Sequence, residues 1–271
     1  MSASRLPRSY LFVPGNRPER FAKACATGAD AVIFDLEDAV PTAEKEAARS
    51  AVADWLNSGP QVACQLLIRI NSADTIWFGN DLALCGIPAV DGIVLPKAER
   101  VQDLERLRSS GARAILPLIE TAVGFQQAGT LAQVSGVQRL VFGTIDFQVD
   151  LGIEGEDDEL LYFRSQLVLL SRLAGVHAPV DGVTTALDDD AVLSSDTLRG
   201  KRIGFGAKLC IHPKQVAGVN QGFTPTKEEI EWAQRVLAAA AAANGGAVAL
   251  DGKMVDKPVI LKAQRIVAQA E

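Results

Sequence analysis

Glu120 and Asp146 are the side chains whose type and spacing first suggest chemistry, because each closes a short apolar run: 115–121 (ILPLIET) and 139–146 (RLVFGTID). Two carboxylates with no histidine pair beside them make an oxygen-rich site. That donor set suits a hard divalent ion, Mg2+ or Mn2+, with water and substrate oxygens completing the octahedron. The competing reading is that each carboxylate salt-bridges a neighbour. Arg69 closes the run 66–71 (LLIRIN). Its planar fork of donors suits a carboxylate, or a carbonyl oxygen that becomes negative. It serves equally well as a structural partner for Glu37 or Asp38. Asp35, Glu37 and Asp38 crowd the end of 31–38 (AVIFDLED). Carboxylates that close need cations or a hydrogen-bond network, and Lys97 and Arg8 are the candidates. This cluster reads as ion pairing beneath a site before it reads as catalytic. Asp181 and His212 close two more runs, with His212 balanced between general base and packing residue. The stretch 15–20 (GNRPER), which holds Arg17, could present amides and arginines to a phosphate. Its spacing matches no P-loop or dinucleotide fingerprint.

The runs that these residues close are the elements that must position them. Eight recur over roughly 210 residues: 9–15, 31–38, 66–71, 92–97 (GIVLPK), 115–121, 139–146, 176–183 (VHAPVDGV) and 204–212 (GFGAKLCIH). Helix-like stretches rich in Ala, Leu, Glu, Lys and Arg lie between them. Uninterrupted apolar runs alternating with helical pattern predict strands of a parallel sheet buried on both faces. Eight such units is the count of an α/β (β/α)8 TIM barrel, whose active site lies at the strand C-terminal ends. Helices are expected over 18–26, 42–57, 77–86, 99–109, 123–131 and 159–174, the last stopped by Gly175 as a C-cap. Glu44, Lys45, Glu46 and Arg49 read as a solvated face of the second. After the eighth run the pattern changes. A helix over 226–243 opens on TPTKEE, a good N-cap with acidic residues in its first turn. A break at 244–246 and a short segment, AVALDGKMVDKP, precede a last helix at 259–270. The expected division is a barrel at 1–221 and a C-terminal helical extension at 222–271, hinged at the glycine pair. Such an extension is a brace or a lid, and periodicity alone favours the brace.

The 271 residues carry a net charge of −6 and 48% hydrophobic residues, a soluble globular composition without a basic excess. That argues against nucleic acid as the main partner. Cys25, Cys64, Cys85 and Cys210 are scattered without a C-x-x-C, and Cys64 and Cys210 read as reduced core thiols. Only His177 and His212 are available to a zinc site, so none is expected. The N-terminus, MSASRLPRSYLFVPG, has no long apolar h-region, and no run approaches a membrane span. The cytoplasm is therefore the expected location.

Taken in order, SYLFVPGNRPERF, DAVIFDLEDAVPTAEKEAAR, RIN, DGIVLPKAE, PLIETAVG, FGTIDFQVDLG, KLCIHPKQV and ALDGKMVDKPV resemble the citrate lyase β-subunit-like family. That family includes malyl-CoA, citramalyl-CoA and citryl-acyl-carrier lyases, and the resemblance spans almost the whole chain. It implies a Mg2+-dependent barrel enzyme, commonly trimeric or built from trimers, that cleaves or forms a carbon–carbon bond beside a thioester. By position, Glu120 and Asp146 correspond to the family's metal carboxylates and Arg69 to its substrate-binding arginine. Asp256 corresponds to an acid/base aspartate that the lid of one subunit supplies to its neighbour. Pattern alone makes Asp256 an exposed loop residue, so the resemblance turns the extension from brace to lid. It further implies that Arg17 of the GNRPER loop and nearby cations such as Lys97 meet the phosphates or pantetheine of a CoA carrier. Glu120 would contribute to substrate binding as well as to the metal.

One departure stands out. Many members carry an acidic residue just before the metal aspartate, where this chain has Ile145. The metal pair is intact, but the acyl-binding surface differs. The expected activity is a stand-alone lyase on a 3-hydroxyacyl-CoA such as malyl-CoA or citramalyl-CoA, with a keto acid as the other partner. The alternatives are a citryl-carrier lyase subunit of a citrate lyase complex, an aldolase acting on free keto acids, and a barrel kept only for binding.

Overall fold

The runs become eight parallel strands: β1 (Ser9–Pro14), β2 (Ala31–Asp35), β3 (Gln65–Arg69), β4 (Gly92–Leu95), β5 (Ile115–Ile119), β6 (Val141–Phe142), β7 (Val180–Asp181) and β8 (Ala207–Cys210). They hydrogen-bond in chain order and β8 returns to β1, so the sheet closes as an eight-stranded barrel. The computed structural model describes residues 6–155, 157–242 and 248–270. Connections between strands carry α1 (Phe21–Cys25), α2 (Lys45–Asn57), α3 (Phe78–Asp81), α4 (Val101–Ser109), α5 (Ala122–Ala132), α6 (Thr144–Leu151), α7 (Asp158–Ala174) and α8 (Asp190–Ile203), and α9 (Pro213–Phe223) follows β8. The chain falls into two compact units, Met1–Asn220 and Gln221–Glu271.

Side chains alternate along a strand, and every second residue meets in the barrel interior. Tyr10, Ile33, Leu67, Leu116, Leu118, Val141 and Leu209 form that core. The intervening residues, such as Val32, Phe34 and Ile68, are equally buried. Burial of both sets is what makes the runs unbroken rather than alternating. Each aliphatic side chain removed from water contributes about 1.5–3 kcal/mol. The strands are shorter than the runs, although Asp35 and Arg69 still pair within the ladder and Asp181 pairs with Lys208. After β2 the segment Leu36–Asp38 turns away, and after β6 the chain enters α6 at once. Asp146, expected at a strand end, therefore lies in the first turn of α6. β6 and β7 share only the pair Val141↔Val180, and Pro179 before β7 offers no N–H to a ladder.

At the opposite end, Arg139 is fully buried and donates to the carbonyls of Ala178 and Pro7, both at 2.8 Å, and to the Tyr10 hydroxyl at 3.3 Å. It ties together the segments that lead into β1, β6 and β7. Arg8 also belongs to this end, paired with Asp30 at 2.7 Å. It is not the counter-cation of the Asp35 cluster; Arg69 is.

The second unit consists of α10 (Lys227–Ala242), a hairpin of β9 (Val248–Leu250) and β10 (Lys253–Val255), and α11 (Lys257–Ala270). Thr226 and Glu229 form a reciprocal capping box at the start of α10: Glu229 N donates to Thr226 Oγ1 at 3.2 Å and Thr226 N to Glu229 Oε2 at 2.9 Å. The hairpin turns on Asp251-Gly252, both at positive φ (51° and 72°), as a two-residue turn of that hand requires. Ala233, Val236, Val255 and Ala263 form its core, with Trp232, Ile260 and Ile266 packed against them. The break at 244–246, expected as a hinge, lies outside the described residues. No described helix is long and apolar enough to cross a membrane.

Candidate active site

Asp35, Arg69 and Glu120 continue the inward alternation of Ile33, Leu67 and Leu118, so β2, β3 and β5 deliver them to one end of the barrel. Asp35 and Arg69 are paired in the β2–β3 register. The Arg69 guanidinium donates to both Asp35 oxygens, Nε to Oδ1 and Nη2 to Oδ2, each at 2.7 Å. Its Nη1 lies 3.0 Å from Glu37 Oε2 and 3.5 Å from Asp38 Oδ2, and its Cζ sits 4.8 Å over the Phe12 ring. Burial works against the Arg69 charge, but Asp35, Glu37 and Asp38 outweigh it and hold its proton more tightly than usual. Arg69 is thus both structural partner and fixed cation: a guanidinium locked by one bidentate bond, with a second edge turned to Glu37.

Glu37 is the group this arrangement leaves short. Its Oε2 is buried and close to Arg69 but outside hydrogen-bond geometry, and it has no other hydrogen-bond partner. Burial pushes the Glu37 carboxyl up to about 7, with Asp38 and Asp35 adding to the shift and Arg69 and Lys97 opposing it. The turn that carries it is fixed from below. Lys45 Nζ donates to the carbonyls of Leu36 at 2.8 Å and Glu37 at 2.6 Å. This corrects the solvated-face reading of 42–57. Glu44 and Glu46 are exposed, whereas Lys45 is buried and Arg49 is partly buried against Asp81 at 2.6 Å. An i, i+4 charge pattern cannot show that a turn's carbonyls wait beneath one lysine.

Glu120 follows β5 directly and is only 2% exposed. Its Oε1 accepts the Lys97 backbone N–H at 2.7 Å. On its other side runs Gly143, where an added Cβ would stand 2.6 Å from Glu120 Cβ and 2.7 Å from Oε2. Only glycine lets the chain pass there. Burial, then the Glu37 and Asp146 carboxylates, pushes Glu120 up to about 8 against the Lys97 amide and Arg69. Asp146 is exposed on α6, with Ile145 beside it, also exposed. Among the described residues no three His, Cys, Asp or Glu side chains converge into a complete metal site. One or two carboxylates with water and substrate oxygens is the shell Mg2+ ordinarily takes. A desolvated glutamate whose proton affinity is raised by facing carboxylates fits a divalent cation, which would neutralise that cluster.

The other expected residues divide. Lys97 is exposed at the β4–α4 connection, and Arg17 is exposed beside Glu19 at 2.7 Å. Asp181 faces the helices rather than the mouth, bonded to the buried Arg164 at 3.1 Å. His212 Nδ1 accepts the Lys214 N–H at 3.2 Å at the start of α9, a packing and capping role. Asp256, in the second unit, is exposed and caps α11 through its Oδ1, which accepts the Val259 N–H at 3.3 Å. Sequence reasoning missed Lys45, Gly143 and Asp81. Asp81 is fully buried and accepts the Asn71 backbone N–H at 2.9 Å and its Nδ2 at 2.7 Å, fixing the loop after Arg69.

Comparison with known proteins places this geometry. Residues 8–213 match the family described as HpcH/HpaI aldolase/citrate lyase. The chain is 38% identical to a citrate lyase subunit beta-like protein of Deinococcus radiodurans, covering 97% of both chains. It is 34% identical to a (3S)-malyl-CoA thioesterase of Cereibacter sphaeroides over 97% of this chain and 94% of that one. Among solved structures it superposes at a TM-score of 0.85 and 33% identity on protein CitE from Mycobacterium tuberculosis in complex with magnesium, acetoacetate and coenzyme A. That match covers 100% of this chain and 99% of the other.

Proposed function

The chain belongs to the HpcH/HpaI aldolase/citrate lyase family, and from that premise we propose that it is a Mg2+-dependent carbon–carbon lyase acting on a 3-hydroxyacyl-CoA thioester such as malyl-CoA or citramalyl-CoA. The observation that carries the reading is the mouth itself. Glu120 and Asp146 stand on consecutive β–α connections, and the Asp146 charge helps raise the proton affinity of the buried Glu120 beside a guanidinium locked by Asp35. The solved relative in complex with magnesium, acetoacetate and coenzyme A supports the ligand classes.

Glu120 and Asp146 would hold the Mg2+, with Mn2+ as a substitute. Bound there, the ion supplies Lewis acidity toward the carboxylate and hydroxyl oxygens of the substrate's keto-acid portion. Arg69, unable to swing because Asp35 grips two of its nitrogens, presents a fixed positive charge where an oxygen becomes negative. As the substrate hydroxyl gives its proton to solvent water, its oxygen becomes the carbonyl of the released keto acid, the Cα–Cβ bond breaks, and that bond's electrons pass into the thioester as an enolate. Asp256 delivers a proton to the enolate carbon, and in condensation its carboxylate takes that proton back. Arg17 and Lys97, both exposed, supply cations for the CoA phosphates. Residues 1–221 form the catalytic barrel and 222–271 the lid, which in a homotrimer or dimer of trimers would serve a neighbouring copy. The enzyme works in the cytoplasm without nucleic acid or membrane partners.

A second reading, thioester hydrolysis, is favoured by the relative that bears that name. Both are tested by incubating the purified chain with malyl-, methylmalyl-, citramalyl- and citryl-CoA, with and without Mg2+, and resolving the products. A lyase yields a keto acid and a shorter acyl-CoA, and hydrolysis yields free CoA thiol. Silence across the panel, with activity restored by carrier-bound citryl substrate, would instead favour a citrate lyase subunit.

A further inference from the structure

Among the described residues only two that are not glycine have a left-handed backbone, Asp251 at φ 51° and Lys97 at φ 44°. Asp251 sits in an Asp-Gly hairpin turn, where that conformation is ordinary. Lys97 has no such excuse. Lysine lacks the short polar side chain that eases an aspartate or asparagine into this region, and glycine would occupy it freely. Strained backbone at a mouth is retained where the surroundings over-determine it. The surroundings here are specific. Ala98 N donates to the Leu118 carbonyl at 3.2 Å, anchoring the chain just beyond the strained residue, and the Lys97 N–H lands on Glu120 Oε1 at 2.7 Å. Gly143 closes the opposite side of the same carboxylate, too near for a Cβ.

We propose that Lys97 is a positioning residue: its left-handed backbone, with Gly143 opposite, holds the Glu120 carboxyl group in one orientation before Mg2+ arrives. The role belongs to the main chain and is separate from any contact that the exposed side chain makes with substrate. It rests on the reading of Glu120 as a metal ligand.

The conformation and the charge can be separated by three neutral replacements. Lys97→Gly and Lys97→Asn accept a left-handed backbone, and Lys97→Val, being β-branched, does not. Mg2+ is titrated calorimetrically into the full-length chain without substrate, alongside Glu120→Gln. The expected order is Lys97→Gly and Lys97→Asn alike, and Lys97→Val weaker by about tenfold or more, as loss of a charge-assisted hydrogen bond implies. Equal Mg2+ affinity in all three overturns the proposal, as does loss of binding in all three while the wild type binds, since the side-chain charge would then carry the effect. If Lys97→Val fails to fold, Lys97→Ala replaces it. Lys97→Gly must then bind Mg2+ more tightly and melt at a higher temperature than Lys97→Ala, and equality in both overturns the inference. A wild type that binds no Mg2+ removes the metal reading itself. Binding by the wild type and its absence in Glu120→Gln leave that reading standing, whatever Lys97 does.

Discussion

Glu120 joins a buried carboxylate to a raised proton affinity, and that combination has a sign. The folded, metal-free chain holds a proton on Glu120 up to about pH 8, whereas the unfolded chain releases it near the ordinary glutamate value. Between those limits the folded state binds more protons, so this group's contribution makes stability fall as pH rises. Glu37, pushed up to about 7, acts in the same direction. A cation that takes the proton's place should reverse the loss. The rise in thermal midpoint on adding Mg2+ should therefore grow from pH 6 to about pH 8 and then level off; a rise that shrinks with pH would contradict the site. Asp256 allows a cleaner separation of structure from chemistry, because asparagine caps a helix as well as aspartate does. Asp256→Asn should leave the melting curve in place and abolish turnover, whereas Asp256→Ala should also cost about 1 kcal/mol through the lost cap. Turnover of Asp256→Asn near the wild-type rate would refute the acid/base role.

The β–α connections carry the site, and they differ in how far the sequence discloses them. The strand interiors were legible because both faces are buried, which leaves unbroken runs such as AVIF and ILPLI. The strand ends were not. In FGTID the chain already enters α6 at Thr144, directly after Gly143 passes too close to Glu120 for any Cβ, a contact across the fold that local pattern does not carry. Lys45 and Arg49 looked like a solvated helix face because nothing local reveals the turn carbonyls and the Asp81 carboxylate that they meet across the fold. Asp35, Arg69 and Glu120 could be read because they end runs of one parity. Asp81 could not, since its partners come from α2 and the β3 loop. That network makes a prediction at this scale. Asp81→Ala leaves the Arg49 guanidinium and the Asn71 amides without their shared acceptor, and should cost ~3 kcal/mol in denaturant unfolding. A loss below about 1 kcal/mol would show that the loop after Arg69 is held by other means.

At the scale of the molecule, the barrel gathers carboxylates and guanidinium on one unit, while the proposed proton donor, Asp256, stands on the other. That unit is built of two helices and a hairpin with its own apolar core. If delivery crosses between copies, mixing Asp256→Asn with Arg69→Lys subunits, each inactive alone, should restore part of the activity after subunit exchange. No recovery in verified mixed oligomers would confine each lid to its own barrel. A lyase of this kind breaks a carbon–carbon bond, and a proton from solvent-exchangeable Asp256 reaches the enolate carbon. The most direct measurement is the mass of the acyl-CoA released in D2O from whichever ester of the panel is turned over. One deuterium per acyl group, with an equal amount of keto acid, is the predicted result. Free CoA thiol and an intact, undeuterated hydroxy acid would contradict the lyase and leave a thioesterase.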